Sequence, residues 1–224
     1  MTHRQIMLVA VSWLVVLTGN AVADDGRFVL ADFDAVLTAE VDEEPITLTT
    51  SGIACADREA ERLEVKAADV LTGEDVLLLV DFAADELLLL YPDTLNGERV
   101  TLSAFDTYNG FAGIRGALLG EHVDLPSING KSWKFDVQPE DDQYVHEASH
   151  ADGFRLEWHT AKETNEPRYV CFKKEVMQAE ITITAYRVAA AGEVAEAGLG
   201  SAVELDNFTI GASEEEVPER LPRI

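Results

Sequence analysis

The sequence predicts a mostly-β fold: an antiparallel, jelly-roll-like β-sandwich carrying one short surface helix. Three observations point there. Apolar and polar residues alternate with period two over most of the chain, as half-buried strands require. Two runs, Val76–Phe82 and Leu87–Tyr91, are apolar with Asp81 as the one interruption, as strands buried on both faces are. Roughly nine to eleven such segments recur at fairly regular spacing between turn residues, the rhythm of a sandwich or jelly roll.

Taken in order, the first strand lies within Arg27–Leu37, where Phe28, Val29, Leu30 and Phe33 are apolar. Ile46–Ser51 alternates apolar residues with threonine. Ala56–Leu71 places Ala56, Ala60, Leu63, Ala67 and Val70 at helical spacing among strong helix formers, and is read as the surface helix. After the two apolar runs, Pro92, Asp93, Asn96 and Gly97 mark a loop, and Arg99–Phe105 alternates again. Thr107–Gly130 carries five glycines and reads as a long loop. Trp133, Phe135 and Val137 share one strand face and read as core, and Phe154, Leu156 and Trp158 share another. Tyr169–Lys173 and Ile181–Val188 continue the pattern. Ala189–Gly200 is linker-like in composition, and Val203–Ile210 closes the fold.

Residues 1–23 combine Arg4, an apolar run from Ile6 to Leu17 and the small-x-small site Ala21-Val22-Ala23, which together read as a secretory signal peptide. Export to a secreted or periplasmic location follows. The run is shorter than the ~20 residues of a spanning helix, and no transmembrane segment is expected in the mature chain. Residues 24–212 are expected to form a single domain, and 213–224, with Glu214–Glu216 and two prolines, are expected to form a flexible acidic tail.

Among 224 residues, 17 are Lys or Arg and 42 are Asp or Glu, a net charge of −25. Such a surface repels phosphate, so nucleic acid is excluded as a partner. Cys55 and Cys171 are the two cysteines. In an oxidising compartment they are expected to form a disulfide, with two buried thiols as the alternative.

One motif carries chemistry. His146-Glu147-Ala148-Ser149-His150 fits H-E-x-x-H, and Gly153 extends it to HExxHxxG. On a helix the two histidines lie one turn apart and can share a zinc ion, with Glu147 as general base. This stretch resembles the active-site helix of zinc metallopeptidases, metzincins in particular. The position of the third metzincin ligand is Leu156, and in a gluzincin pattern Glu175 or Glu180 would serve. The preferred reading of the segment is a strand, with Tyr144–Ser149 turning through Ala151-Asp152-Gly153 into Phe154–His159. In a strand the two histidines stand about 13 Å apart and no zinc bridges them.

Val203–Ile210, with Asp206-Asn207 between apolar residues, resembles the last strand of secreted jelly-roll carbohydrate-binding modules, and Leu30–Asp34 is similar to their first strand. The resemblance implies calcium held by Asp206, Asn207, Asp32 and Asp34. Tyr108 and Phe111, in the glycine-rich loop, are the candidate contacts for a polysaccharide or another cell-surface component. The preferred reading is an exported, acidic, non-catalytic binding or envelope-associated module without a certain cofactor; the alternative is the zinc metallopeptidase.

Overall fold

The computed structural model describes residues 26–41, 44–69, 72–101, 134–149, 153, 155–174, 177–200 and 204–212. The leader at 1–23, the tail at 213–224, Tyr108, Phe111, Trp133 and His150 lie outside the described residues.

Among the described residues twelve strands form: β1 Phe28–Val41, β2 Glu44–Asp57, β3 Arg62–Ala68, β4 Asp75–Asp81, β5 Glu86–Tyr91 and β6 Asn96–Thr101, then β7 Lys134–Glu140, β8 Gln143–Ser149, β9 Arg155–Ala161, β10 Pro167–Lys174, β11 Met177–Ala189 and β12 Thr209–Ala212. A short helix, α1, spans Ala191–Glu196. The strands make one sheet in the order β12-β6-β5-β4-β3-β2-β1-β11-β10-β9-β8-β7. Two meanders, β1–β6 and β7–β11, are therefore joined side by side where β1 pairs with β11, and β12 adds in parallel to β6.

The mostly-β class holds, and the sandwich gives way to a single open sheet. The reason lies in the connections. The turns between β2 and β6 are tight hairpins, which add each strand beside the last, whereas a jelly roll needs long crossings between sheets. Four hairpins close on a residue in the left-handed region: Glu61, Asp85, Leu95 and Asn165, with φ of 50°, 55°, 53° and 58°. Aspartates stiffen two of them. The Asp57 carboxylate accepts the Glu59 and Ala60 amides at 3.2 and 3.1 Å, and Asp81 accepts the Ala84 amide at 2.8 Å. Each aspartate also pairs with an arginine on the adjacent chain, Asp57 with Arg27 and Asp81 with Arg62, both at 2.7 Å.

Both faces of the central strands are apolar. One face gathers Phe33, Val65, Leu78, Leu89, Phe172 and Ile181 among others into a core that runs from β5 to β8. The opposite face of β1, β2, β4 and β5 presents Leu30, Cys55, Leu77, Leu88 and Leu90 to Val194 and Leu199, which descend from α1 and the turn after it. The continuous apolar runs expected to be buried on both faces are β4 and β5, and they are. Gly52 on β2 makes room for the first core: a Cβ there would stand 2.6 Å from the Phe33 ring and 2.3 Å from the Lys66 carbonyl oxygen.

Four local expectations are corrected. The predicted helix at Ala56–Leu71 is, over its described residues 56–69, the end of β2, a turn and β3; Leu63 and Val65 are buried on one face with Glu64 opposite, and ladders to β2 and β4 override the helical propensity. The linker-like Ala189–Gly200 contains α1. Its first free amide, on Ala190, is accepted by the Glu193 carboxylate at 2.8 Å, and Gly198 ends it with φ 76°. The closing strand begins only at Thr209, because Leu205–Asn207 form a 3-10 turn in which the Asn207 side chain donates to Glu204 at 2.8 Å. Val137, expected in the core, is 53% exposed.

The disulfide is also corrected: Cys55 and Cys171 are both free thiols. They lie on β2 and β10, three strand spacings or about 14 Å apart across the sheet. Their rungs meet β11 at Arg187 and Glu180, seven residues apart. A disulfide needs Cα atoms within roughly 7 Å.

Candidate functional site

Residues 146–149 of the H-E-x-x-H segment fall in β8, which runs as strand from Gln143 to Ser149 between β7 and β9. The metallopeptidase alternative needs a helix here, whereas residues 146–149 are extended backbone. Alternation sends His146 and Glu147 to opposite faces. Glu147 is exposed, away from the apolar core, while His146 turns toward that core.

His146 is held by its neighbours on β9. Its ring stacks on Trp158 at 4.8 Å between centroids and 6° between planes. Its Nε2 shares a 3.0 Å hydrogen bond with the Thr160 hydroxyl, which is buried. Tyr144 tilts against it on the other side at 6.3 Å, and Lys162 lies 5.6 Å from the centre of the Tyr144 ring. Burial lowers the His146 pKa, and the charge of His159 lowers it further. A neutral imidazole bound to a buried hydroxyl is a packed, satisfied side chain.

The other face of the same strands holds a polar group that single-chain reasoning misses. His159 Nε2 lies 2.8 Å from Glu157 Oε1, and its ring meets Tyr169 at 4.9 Å. Register sets Tyr169 opposite His159, and Cys171 between Glu157 on β9 and Glu180 on β11. Burial raises the pKa of both Tyr169 and Cys171, and the two glutamates raise that of Cys171 further. A thiol so placed stays protonated and is a poor nucleophile. The alternation of Arg155, Glu157 and His159 marks this face in the sequence; only the register supplies its partners.

The calcium candidates are not brought together. Asp32 and Asp34 lie on β1, and Asp32 pairs with Arg187 at 2.9 Å. Asp206 and Asn207 lie in the turn before β12, which joins the sheet six strands from β1. Among the described residues, no group of three or more His, Cys, Asp or Glu side chains is placed to hold a metal ion. No helix among them is long and apolar enough to cross a membrane.

No family model and no curated protein matches the chain. Solved structures resemble it at low identity. An uncharacterized conserved protein from Thermus thermophilus aligns with 10% identity and a TM-score of 0.44, covering 95% of this chain and 99% of that one. A LolA superfamily protein from Nitrosomonas europaea aligns with 8% identity and a TM-score of 0.38, over 84% of this chain and 96% of that one. MucB, in its complex with MucA(peri), aligns with 12% identity and a TM-score of 0.37, over 77% of this chain and 55% of that one.

Proposed function

We propose that this protein is an exported, non-catalytic module of the cell envelope, whose sheet binds an envelope component without transforming it. The observation that carries the reading is the strand at Gln143–Ser149: residues 146–149 of the chain's one catalytic motif are extended, and His146 stacks on Trp158 and shares a hydrogen bond with Thr160. The signal-like leader supports export. The ligand is taken no further than an envelope component, since the carbohydrate contacts Tyr108 and Phe111 lie outside the described residues.

Expression of the full chain followed by cell fractionation and metal analysis tests this. The expected result is a processed chain beginning near Asp24, outside the cytoplasm, with far less than one equivalent of zinc. A chain that stays unprocessed in the cytoplasm overturns the export part. One equivalent of zinc, lost in His146→Ala together with peptidase activity, overturns the non-catalytic part.

A further inference from the structure

Among the described residues, strand β7 is one of the two ends of the sheet and pairs with β8 alone. Lys134 and residues 136 to 140 are exposed. The two-residue turn Asp141-Asp142 closes on the pair Glu140–Gln143, and this fixes the phase of the ladder. The backbone amides and carbonyls of Lys134, Asp136, Gln138 and Glu140 face β8, and those of 135, 137 and 139 face outward. One contact agrees with this phase: the outward amide of Val137 donates to the carboxylate of its own neighbour, Asp136, at 3.0 Å. Pro139 has no amide to offer. The edge is thus covered in the single chain, by a side chain and a proline.

The sequence of the edge is complementary to itself. Set antiparallel to a second copy about a two-fold axis at Val137, Lys134 faces Glu140 and Asp136 faces Gln138, twice over, all on one face of the sheet. On the apolar face Val137 meets Val137, which gives its 53% exposure a partner. Neighbouring registers are worse. An axis at residue 136 sets two Asp136 carboxylates against each other, and an axis at 138 sets Asp136 against the second copy's Glu140. The Asp136–Gln138 hydrogen bond, 3.0 Å within one strand, re-forms between copies, and the Val137 amide passes from Asp136 to the carbonyl of the second copy's Val137.

We propose that β7 is a docking edge for a second copy of this chain, centred on Val137, with Asp136 as the latch that covers it in the monomer. The result is an isologous dimer in which the two sheets run on as one.

Sedimentation equilibrium of the processed chain over a concentration series, at physiological salt, tests the proposal. The wild type is expected to show a monomer–dimer equilibrium. Lys134→Glu sets like charges opposite each other twice and is expected to weaken the dimer about tenfold. The double variant Lys134→Glu, Glu140→Lys is expected to restore it. Within one β7 these residues are some 20 Å apart, so rescue acts only between copies. Val137→Pro removes an outward amide that β8 does not use and is expected to leave a folded monomer. A wild type that stays monomeric throughout overturns the proposal. So does a dimer indifferent to Lys134→Glu, or a charge swap that fails to restore what the single change removes.

Discussion

The imidazole of His146 lies flat on the indole of Trp158, 6° from parallel, with the two rings carried on neighbouring strands. Burial keeps that imidazole neutral by holding its pKa below the ordinary value, and His159 adds to the effect. The unfolded chain therefore binds a proton at a pH where the native chain does not. This site's contribution to stability is complete above about pH 6.5 and is lost as pH falls from there through the folded value. Melting temperature should decline on mild acidification, and His146→Phe should flatten that part of the profile. An identical profile in the variant would show that the stack is not the titrating element.

Gly52 leaves the Phe33 ring room to cross β2. Gly52→Ala would press a methyl group between that ring and the Lys66 carbonyl oxygen, the latter fixed in the β2–β3 ladder. The expected cost is about 2–3 kcal/mol, read as a lower urea midpoint at unchanged slope. A variant as stable as the wild type would mean that Phe33 has another place to go.

Leu95 closes the β5–β6 hairpin at φ 53° while half-exposed. Its side chain opposes this conformation, and its carbonyl accepts the Thr209 amide whatever side chain is present. Leu95→Gly should stabilise the protein by roughly 0.5–1 kcal/mol, visible as a higher melting temperature. Destabilisation would count against the left-handed turn.

The two thiols should behave as thiols. In the folded protein Cys55 should resist a thiol reagent at neutral pH, since burial, with Glu64 and Asp57 beside it, pushes its pKa up to about 12. In denaturant without reductant both cysteines should titrate, and a reducing agent should leave the melting temperature unchanged. Mass spectrometry finding the chain two hydrogens lighter than the fully reduced form would refute this.

The strands were readable because period two shows itself in any half-buried segment; β4 and β5, buried on both faces, showed as unbroken apolar runs. The number of sheets was not readable. Alternation says that Leu78 and Leu77 point to opposite sides, and says nothing of what lies across from either. In Ala56–Leu71 good helix formers sit in β2, a turn and β3, where partners on both sides decide the conformation. Helix α1 carries little signal in the sequence, an Ala- and Gly-rich stretch with Val194 and Leu199 as its few buried side chains. The H-E-x-x-H letters suit helix or strand equally; the ladders to β7 and β9 choose the strand. The Glu157, His159, Tyr169 and Cys171 group depends on which rungs of β9 and β10 coincide, and one chain's sequence does not record that.

The pairing of β1 with β11 also governs how the molecule assembles in time. Every other antiparallel pairing joins strands consecutive in the chain, so each meander can zip from its own hairpins at small entropic cost. The seam joins Phe28 to Ala189, across nearly the whole domain, and carries the largest loop-closure penalty in the sheet. Two quickly formed half-sheets docking slowly along β1 and β11 is the kinetic order this architecture imposes.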